Sequence, residues 1–340
     1  MLFDENIVCP ITGEPLDIQN DGWLVSSSGR RYAVIDGIPM LFVEEDGSSL
    51  DGPAEALDRA ASVTQAVQDF YKAAPFPNYN SFDSIASFVK RADAGIFARL
   101  LRQQIPPNSN VLEIGCGTAQ LSNYLAATTT TRAYAVDMTM PSLRLGRDFA
   151  LRNRIEGISF IQANLFMPPF KAQSMDILIS NGVLHHTYDT KKAFMSISRL
   201  VKPGGYIIIG LYNRIGRLRT DIRRGLVKAF GERMLFLDPH LKKDLSPEKR
   251  RAWINDQYYH PKERKHSISE VMQWFDEAGF SFVSSIPKIV GEFKNNESLF
   301  EPQDPGTPSD RIAAEIGMLF SGLGGEGGLF ICVGRRNPAD

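Results

Sequence analysis

The chain has 340 residues, with 38 Lys or Arg against 39 Asp or Glu. That length exceeds what one ordinary core needs and predicts either one domain with large additions or two domains. The near-neutral balance excludes a global pull toward nucleic acid or an anionic membrane, leaving only local patches.

Residues 7–43 read as a turn-rich β module, with short alternating runs between Gly and Asp turns. Its ending, Tyr32-Ala33-Val34-Ile35-Asp36-Gly37-Ile38-Pro39, resembles the small Trm112-like family, whose members often carry a zinc ribbon and stabilise partner enzymes. The resemblance implies a fused docking module over residues 1–45. A zinc site would need thiolates near Thr12, Val25 and Ser28 to join Cys9, and one cysteine cannot build a tetrahedral site. The module is therefore expected to be metal-free and held by Trp23, Tyr32 and Phe42.

Residues 44–53, acidic and rich in Gly and Ser, read as a linker. Residues 46–104 are expected to supply that linker and helices covering a pocket. A helical stretch runs to Tyr71 and stops at Ala74-Pro75-Phe76-Pro77-Asn78-Tyr79, where two prolines forbid a helix. This aromatic segment either closes over a ligand or pins the chain to the core. Residues 84–104 carry an apolar stripe and predict one helix.

From 111 to 212 strands and helices alternate, which predicts a parallel sheet with helices on both faces. Strands are expected at 110–114, 132–137, 158–162, 175–180 and 205–211. The first ends in Glu113-Ile114-Gly115-Cys116-Gly117-Thr118-Ala119-Gln120, a glycine turn into a helix. A dinucleotide fingerprint would place a third glycine at Gln120 and a pyrophosphate on the helix start, which Glu113 would repel. That carboxylate suits an ammonium, and Asp137 on the next strand end suits ribose hydroxyls. With Ser180-Asn181-Gly182 followed by His185 and His186, and with Pro203-Gly204-Gly205, the segment resembles the class I methyltransferases that use S-adenosylmethionine (SAM), in the type 11-like group.

The resemblance implies an α/β, Rossmann-like sheet of seven strands, mostly parallel with the last antiparallel, across 105–340. It also implies a SAM site at Glu113, Gly115, Cys116, Gly117, Thr118, Gln120, Asp137, Met138, Ala163, Asn164, Leu165, Asn181 and Gly182. Asn164 stands where the family usually has an acid contacting adenine, and its amide can serve both adenine edges. Insertions interrupt the pattern at 213–266 and 288–327. Between them, Ser267-Ile268-Ser269-Glu270 is a capping-box start for a helix stopped at Gly279, followed by a strand from Phe280. The glycines before Leu329 read as a hinge, and the last strand pairs with the sixth as an antiparallel hairpin.

Transfer from a sulfonium needs positioning and sometimes a base. His185 and His186 either serve as that base or pack locally. Tyr71, Phe76, Tyr79, Tyr212, Asn213, Arg214, Tyr258, His260 and His266 are expected around the acceptor by position. His260, Glu263 and His266 recur at intervals of three, but Pro261 interrupts the helix and no thiolate is near, so no metal is expected. The basic run from Arg214 through Arg217, Arg219, Arg223, Arg224, Lys228 and Arg233 either binds an anionic group, lies on an anionic surface or is a solvated face. The expected function is methyl transfer from SAM to a small or medium-sized acceptor with anionic character. RNA methylation, with nucleic acid the less favoured partner, and a non-catalytic SAM-binding scaffold are the alternatives. The start at Met1-Leu2-Phe3-Asp4-Glu5 gives no secretion signal, no transmembrane segment is visible, and the scattered Cys9, Cys116 and Cys332 suit a reducing cytoplasm. Oligomeric state is left open.

Overall fold

The computed structural model describes residues 3–44, 54–73, 75, 79, 84–242, 247–260, 262–294, 296–320 and 328–338. The expected linker at 45–53, Phe76 and glycines 322–327 lie outside the described residues. Five short strands come first: β1 Leu16–Ile18, β2 Leu24–Ser26, β3 Arg31–Tyr32, β4 Val34–Ile35 and β5 Ile38–Leu41. Helices α1 Ala54–Ala73, α2 Ile85–Asp93 and α3 Ile96–Gln104 lead to the alternating region. That region comprises β6 Asn110–Ile114, α4 Gln120–Thr128, β7 Arg132–Asp137, α5 Met140–Asn153, β8 Ile158–Ala163, β9 Met175–Asn181, α6 Thr190–Ser198 and β10 Val201–Tyr212. The remainder holds α7 Leu218–Phe230, α8 Pro247–Ile254, α9 Ile268–Glu277, β11 Phe280–Ile286, α10 Pro308–Gly317 and β12 Leu329–Arg336.

The main sheet runs β11-β12-β10-β9-β6-β7-β8-β5-β4. From β10 to β5 every neighbouring pair is parallel. Only β12 runs against both its neighbours, as expected for the closing hairpin. Central strands such as Ile177-Leu178-Ile179 are buried throughout, because helices cover both faces. The order turns outward in two directions from β6 and β9. A crevice therefore opens at their carboxyl ends, which is where ligands bind in such sheets.

Among the described residues the main sheet has nine strands rather than seven, because the N-terminal module joins it. Met40 and Leu41 of β5 pair in parallel with Gln162 and Ala163 of β8, and β4 pairs antiparallel to β5. Ile7, Leu16, Leu24 and Leu41 share the main core with Tyr134, Ile161 and Phe170. Trp23 is not part of that packing. It is 39% exposed with Arg31 over its ring, and the module is held instead by Leu16, Leu24, Ile38 and Leu41.

Near Cys9 the Thr12 hydroxyl donates to the Glu14 carboxylate at 2.9 Å and the Ser28 hydroxyl at 2.6 Å. These hydroxyls lower the Glu14 carboxyl to about 2. Thus two positions where a zinc ribbon would need thiolates are joined by an acid. The expected single helix over 84–104 is two, broken at Ala94 and Gly95, where Gly95 becomes the N-cap of α3. The predicted capping box at Ser267 and Glu270 is formed in both directions and opens α9.

Candidate active site

A cavity of about 310 Å3 lies at the carboxyl ends of the parallel strands. Gly115 sits at φ +76°, and the side chain of Val183 occupies the place a Cβ would take, so the loops after β6 and β9 are in contact. A larger residue would separate them. The Glu113 carboxylate accepts from the Ser122 backbone N–H at 2.9 Å and from the Ser122 hydroxyl, tying the end of β6 to the first turn of α4. Asp137 accepts from Gly117 N–H at 2.9 Å and from Thr139 N–H and Oγ1 at 2.8 and 2.7 Å. The glycine loop is thereby fixed by both acids.

Both carboxylates are buried and hard to ionise. Burial, with Asp137 nearby, pushes Glu113 up to about 7, and burial raises Asp137. Neither Lys nor Arg is among the described residues of the wall. Two buried acids facing a cavity without a cation form an incomplete charge set, and a ligand carrying an ammonium and ribose hydroxyls completes it. Asn181 adds a further polar group. Its Oδ1 is buried without a partner among the described residues, beside Gly210, where any Cβ would strike it.

Met138, Ala163 and Leu165 line the next part of the wall with Asn164. The amide of Asn164, expected to meet adenine, is also bonded to the protein on both sides. Its Nδ2 donates to the Val43 carbonyl at 3.1 Å and its Oδ1 accepts from Phe166 N–H at 3.1 Å, which fixes the amide and leaves one N–H and one lone pair for a ligand.

The far half of the cavity is built by α1 and the 213–266 insertion. Val63, Val67 and Tyr71 recur along one stripe of α1 and face Tyr212, Trp253, Asp256 and Gln257. Asp256 accepts from the Tyr71 hydroxyl at 3.1 Å and from Gln257 Nε2 at 2.8 Å. Gln257 Nε2 also lies 2.9 Å from the Tyr212 hydroxyl, and its Oε1 accepts from Arg217 at 2.6 Å. Burial raises the Asp256 carboxyl. A π-helical turn at Asn255–Tyr259 brings Asp256 and Gln257 to the wall.

His186 also lines the cavity, while His185 lies behind it. The Nδ1–H of His186 donates to the Lys262 carbonyl at 2.7 Å, so its Nε2 is the unprotonated nitrogen. Burial lowers His186 to about 4.

Residues 112–209 match the family profile described as a methyltransferase domain. Over this stretch the chain is similar to methyltransferase domains. Its cofactor is S-adenosylmethionine. An uncharacterised protein of Synechococcus sp. is 26% identical over 262 residues, 65% of this chain and 60% of its own. The ubiquinone/menaquinone biosynthesis C-methyltransferase UbiE of Vibrio campbellii is 29% identical over 106 residues, 30% of this chain and 41% of its own. The chain thus spans no more than 60% of the length of these curated relatives. Among solved structures, magnesium protoporphyrin IX methyltransferase from Synechocystis is 13% identical with a TM-score of 0.44, covering 82% of this chain and 95% of its own.

Of the residues expected around the methyltransferase cofactor, Glu113, Gly115, Cys116, Gly117, Gln120, Asp137, Met138, Ala163, Asn164, Leu165, Asn181 and Gly182 line the cavity. Thr118 does not: it is fully buried, and its carbonyl accepts from the Tyr79 hydroxyl at 2.8 Å. Tyr79 is likewise off the wall, stacked on Phe149. On the acceptor side, among the described residues of the expected set, only Tyr71 and Tyr212 line the cavity.

The other described members are held elsewhere by identifiable contacts. Asn213 caps a turn, its Oδ1 accepting from Ile215 and Gly216 N–H at 2.9 and 2.8 Å. The Arg214 side chain is 68% exposed beside Glu270. Tyr258 donates to Asp238 at 2.9 Å. His266 bridges Glu270 and Thr190 at 2.9 and 3.1 Å, and His260 lies behind His186 with ring centroids 3.6 Å apart.

Of the basic run expected to meet an anion, Arg217, Arg223 and Arg224 are turned inward, while Arg214, Arg219, Lys228 and Arg233 are exposed. Arg217, fully buried, reaches Glu263 at 2.8 Å and lies 3.7 Å over the Tyr212 ring. Arg224 reaches the same carboxylate at 2.7 Å, and Arg223 lies 3.6 Å from Asp238. Sequence reasoning missed Trp253, Asp256, Gln257 and the stripe on α1. The α1 stripe was readable from its spacing, whereas the insertion residues carried no motif.

Proposed function

We propose that the chain transfers a methyl group from SAM to a small or medium-sized acceptor by in-line displacement. One observation carries this reading: a single cavity joins the glycine loop, Glu113 and Asp137 to a second half walled by Tyr71, Tyr212, Trp253, Asp256 and Gln257. Bound SAM supplies an activated methyl on its sulfonium. Glu113 holds the ammonium, Asp137 the ribose hydroxyls, and Met138, Ala163 and Leu165 the faces of the purine.

The acceptor side is enclosed by α1 and the insertion, which orient the acceptor and exclude water. An acceptor with a hydroxyl or amine suits this end better than an anion. Asp256 is its acid, and Arg217, Arg223 and Arg224 are engaged by Glu263 and Asp238 away from the wall. The same pairs take three of the insertion's arginines out of reach of RNA, the less favoured acceptor. His186, with Nδ1–H fixed on a carbonyl, offers Nε2 to the acceptor's proton, and its low basicity makes it a hydrogen-bond acceptor at neutral pH. The N-terminal module is a built-in docking unit of the kind its Trm112-like ending suggests, because it supplies two strands and Val43 to the cofactor side.

The test is S-adenosylhomocysteine release from full-length protein over a panel of hydroxyl, amine and carboxylate acceptors. Turnover with hydroxyls or amines that falls at least tenfold in Asp256→Asn, with SAM affinity unchanged, supports the reading. Tight SAM binding without turnover on any acceptor favours the scaffold.

A further inference from the structure

The insertion that walls the acceptor side has two apolar faces, of which only one is used. Inside, Val227 packs with Leu235, Leu241 and Trp253 in a small core of its own. Outside, Leu218 and Ile222 stand one turn apart on α7 at 47% and 63% exposure, and Phe230 at the end of the helix is 52% exposed. Phe236, in the segment that follows α7, is 64% exposed, and Phe320, at 78%, lies under the Arg219 guanidinium 5.8 Å away. Large apolar residues at helical spacing on an outer face normally mark a contact surface.

The charge around this face selects the partner. Arg219, Lys228 and Arg233 are all exposed, and none is paired with a carboxylate among the described residues. Of the acids nearby, Asp221 is paired with Lys265 at 2.5 Å, while Glu232 accepts from the Tyr259 hydroxyl at 3.1 Å and keeps its charge, so the three cations outweigh a single free carboxylate. The chain as a whole carries a formal net charge of −1, so this cationic character is local. A symmetric pairing of two copies through this face would set the same cations against each other. Nucleic acid would satisfy the cations but leave Ile222, Phe230 and Phe236 in water. An interface with anionic lipids satisfies both, with apolar side chains among the acyl chains and cations at the headgroups.

We propose that the outer face of α7, with Phe236 and Phe320, seats the chain on an anionic membrane surface. Docking is peripheral: among the described residues, no helix is long and apolar enough to cross a membrane. The site of chemistry is then held beside the bilayer, because the inner side of the same insertion supplies Trp253, Asp256 and Gln257 to the cavity.

Flotation of full-length protein with vesicles tests this, comparing phosphatidylglycerol-phosphatidylcholine mixtures with phosphatidylcholine alone at about 0.1 M salt. A net of about two positive charges near the surface predicts roughly a thirtyfold preference for the anionic vesicles, weakening as salt is raised. The double variant Ile222→Glu/Phe230→Glu should lose vesicle binding while keeping the melting temperature and SAM affinity of the parent chain. Absence of vesicle binding, equal binding to both vesicle types, or full binding by the double variant would overturn the proposal. A dimer dissolved by the double variant, or an RNA oligonucleotide held in place of vesicles, would overturn it in favour of a second copy or nucleic acid.

Discussion

The side-chain amide of Asn164 donates to the backbone carbonyl of Val43 at 3.1 Å, linking the cofactor wall after β8 to the chain leaving the N-terminal module. A carboxylate here could accept from Phe166 N–H as Asn164 does, but it would face the Val43 carbonyl with no hydrogen to donate. Asn164→Asp should therefore destabilise the chain by about 1–3 kcal/mol and weaken SAM binding together with it. Urea denaturation beside calorimetry checks this. An unchanged midpoint would mean that the link to Val43 contributes nothing.

Cofactor affinity should depend on pH through Glu113. Burial holds this carboxyl at about 7 in the free protein, above its ordinary value near 4.5. Its contribution to the stability of the free fold is therefore present below pH 4.5 and lost as pH rises through about 7. The ammonium of SAM needs the ionised form, so binding should tighten as pH rises from 6 to 8. The change approaches roughly tenfold per unit on the acid side of the transition. Titrations of wild type and Glu113→Gln at pH 6, 7 and 8 provide the comparison, and the variant should be weak and nearly flat.

The stacked pair His186 and His260 makes the insertion acid-sensitive. Burial holds His186 at about 4 and His260 at about 3, both below the unfolded value of 6.5. Neutral imidazoles thus contribute stability that is present above pH 6.5 and lost as pH falls toward 4. At pH 5 the loss from His186 alone should be roughly 2 kcal/mol. Denaturation midpoints at pH 7.5 and 5 measure it, and His260→Phe, which keeps a ring against His186, should flatten the acid side.

Arg217 and Glu263 form a buried pair, with the Glu263 carboxyl lowered to about 2 by the Arg217 and Arg224 guanidinium groups. Arg217→Met leaves that carboxylate with Arg224 alone and should cost about 3–5 kcal/mol. The double variant Arg217→Met/Glu263→Gln should recover part of the loss, as read by chemical denaturation. A single variant as stable as the parent would show that the pair does not hold the insertion.

The cofactor half of the cavity was more legible than the acceptor half for physical reasons. Glu113, Gly115 and Asp137 sit at ends of strands whose apolar runs declare themselves locally. The same holds for the capping box at Ser267. By contrast, Asp256 and Gln257 reach the wall through a π-helical turn, in which the side-chain phase departs from the regular 3.6-residue period. The local sequence signal lies instead on their neighbours Tyr258 and His260, which do not line the cavity. The fate of the arginines depended on Glu263 and Asp238, distant in sequence. The pairing of Met40 with Gln162 is equally non-local, so the two additional edge strands carried no local signal.

Calorimetric titration of the full-length chain with SAM, beside Gly117→Arg, tests the central claim most directly. Gly117 lines the cavity, and its N–H binds Asp137 at 2.9 Å, so a long cationic side chain there fills the cofactor's place. The account predicts one-to-one binding by the parent chain and its loss in the variant. Failure of the parent chain to bind, or undiminished binding by the variant, would contradict it.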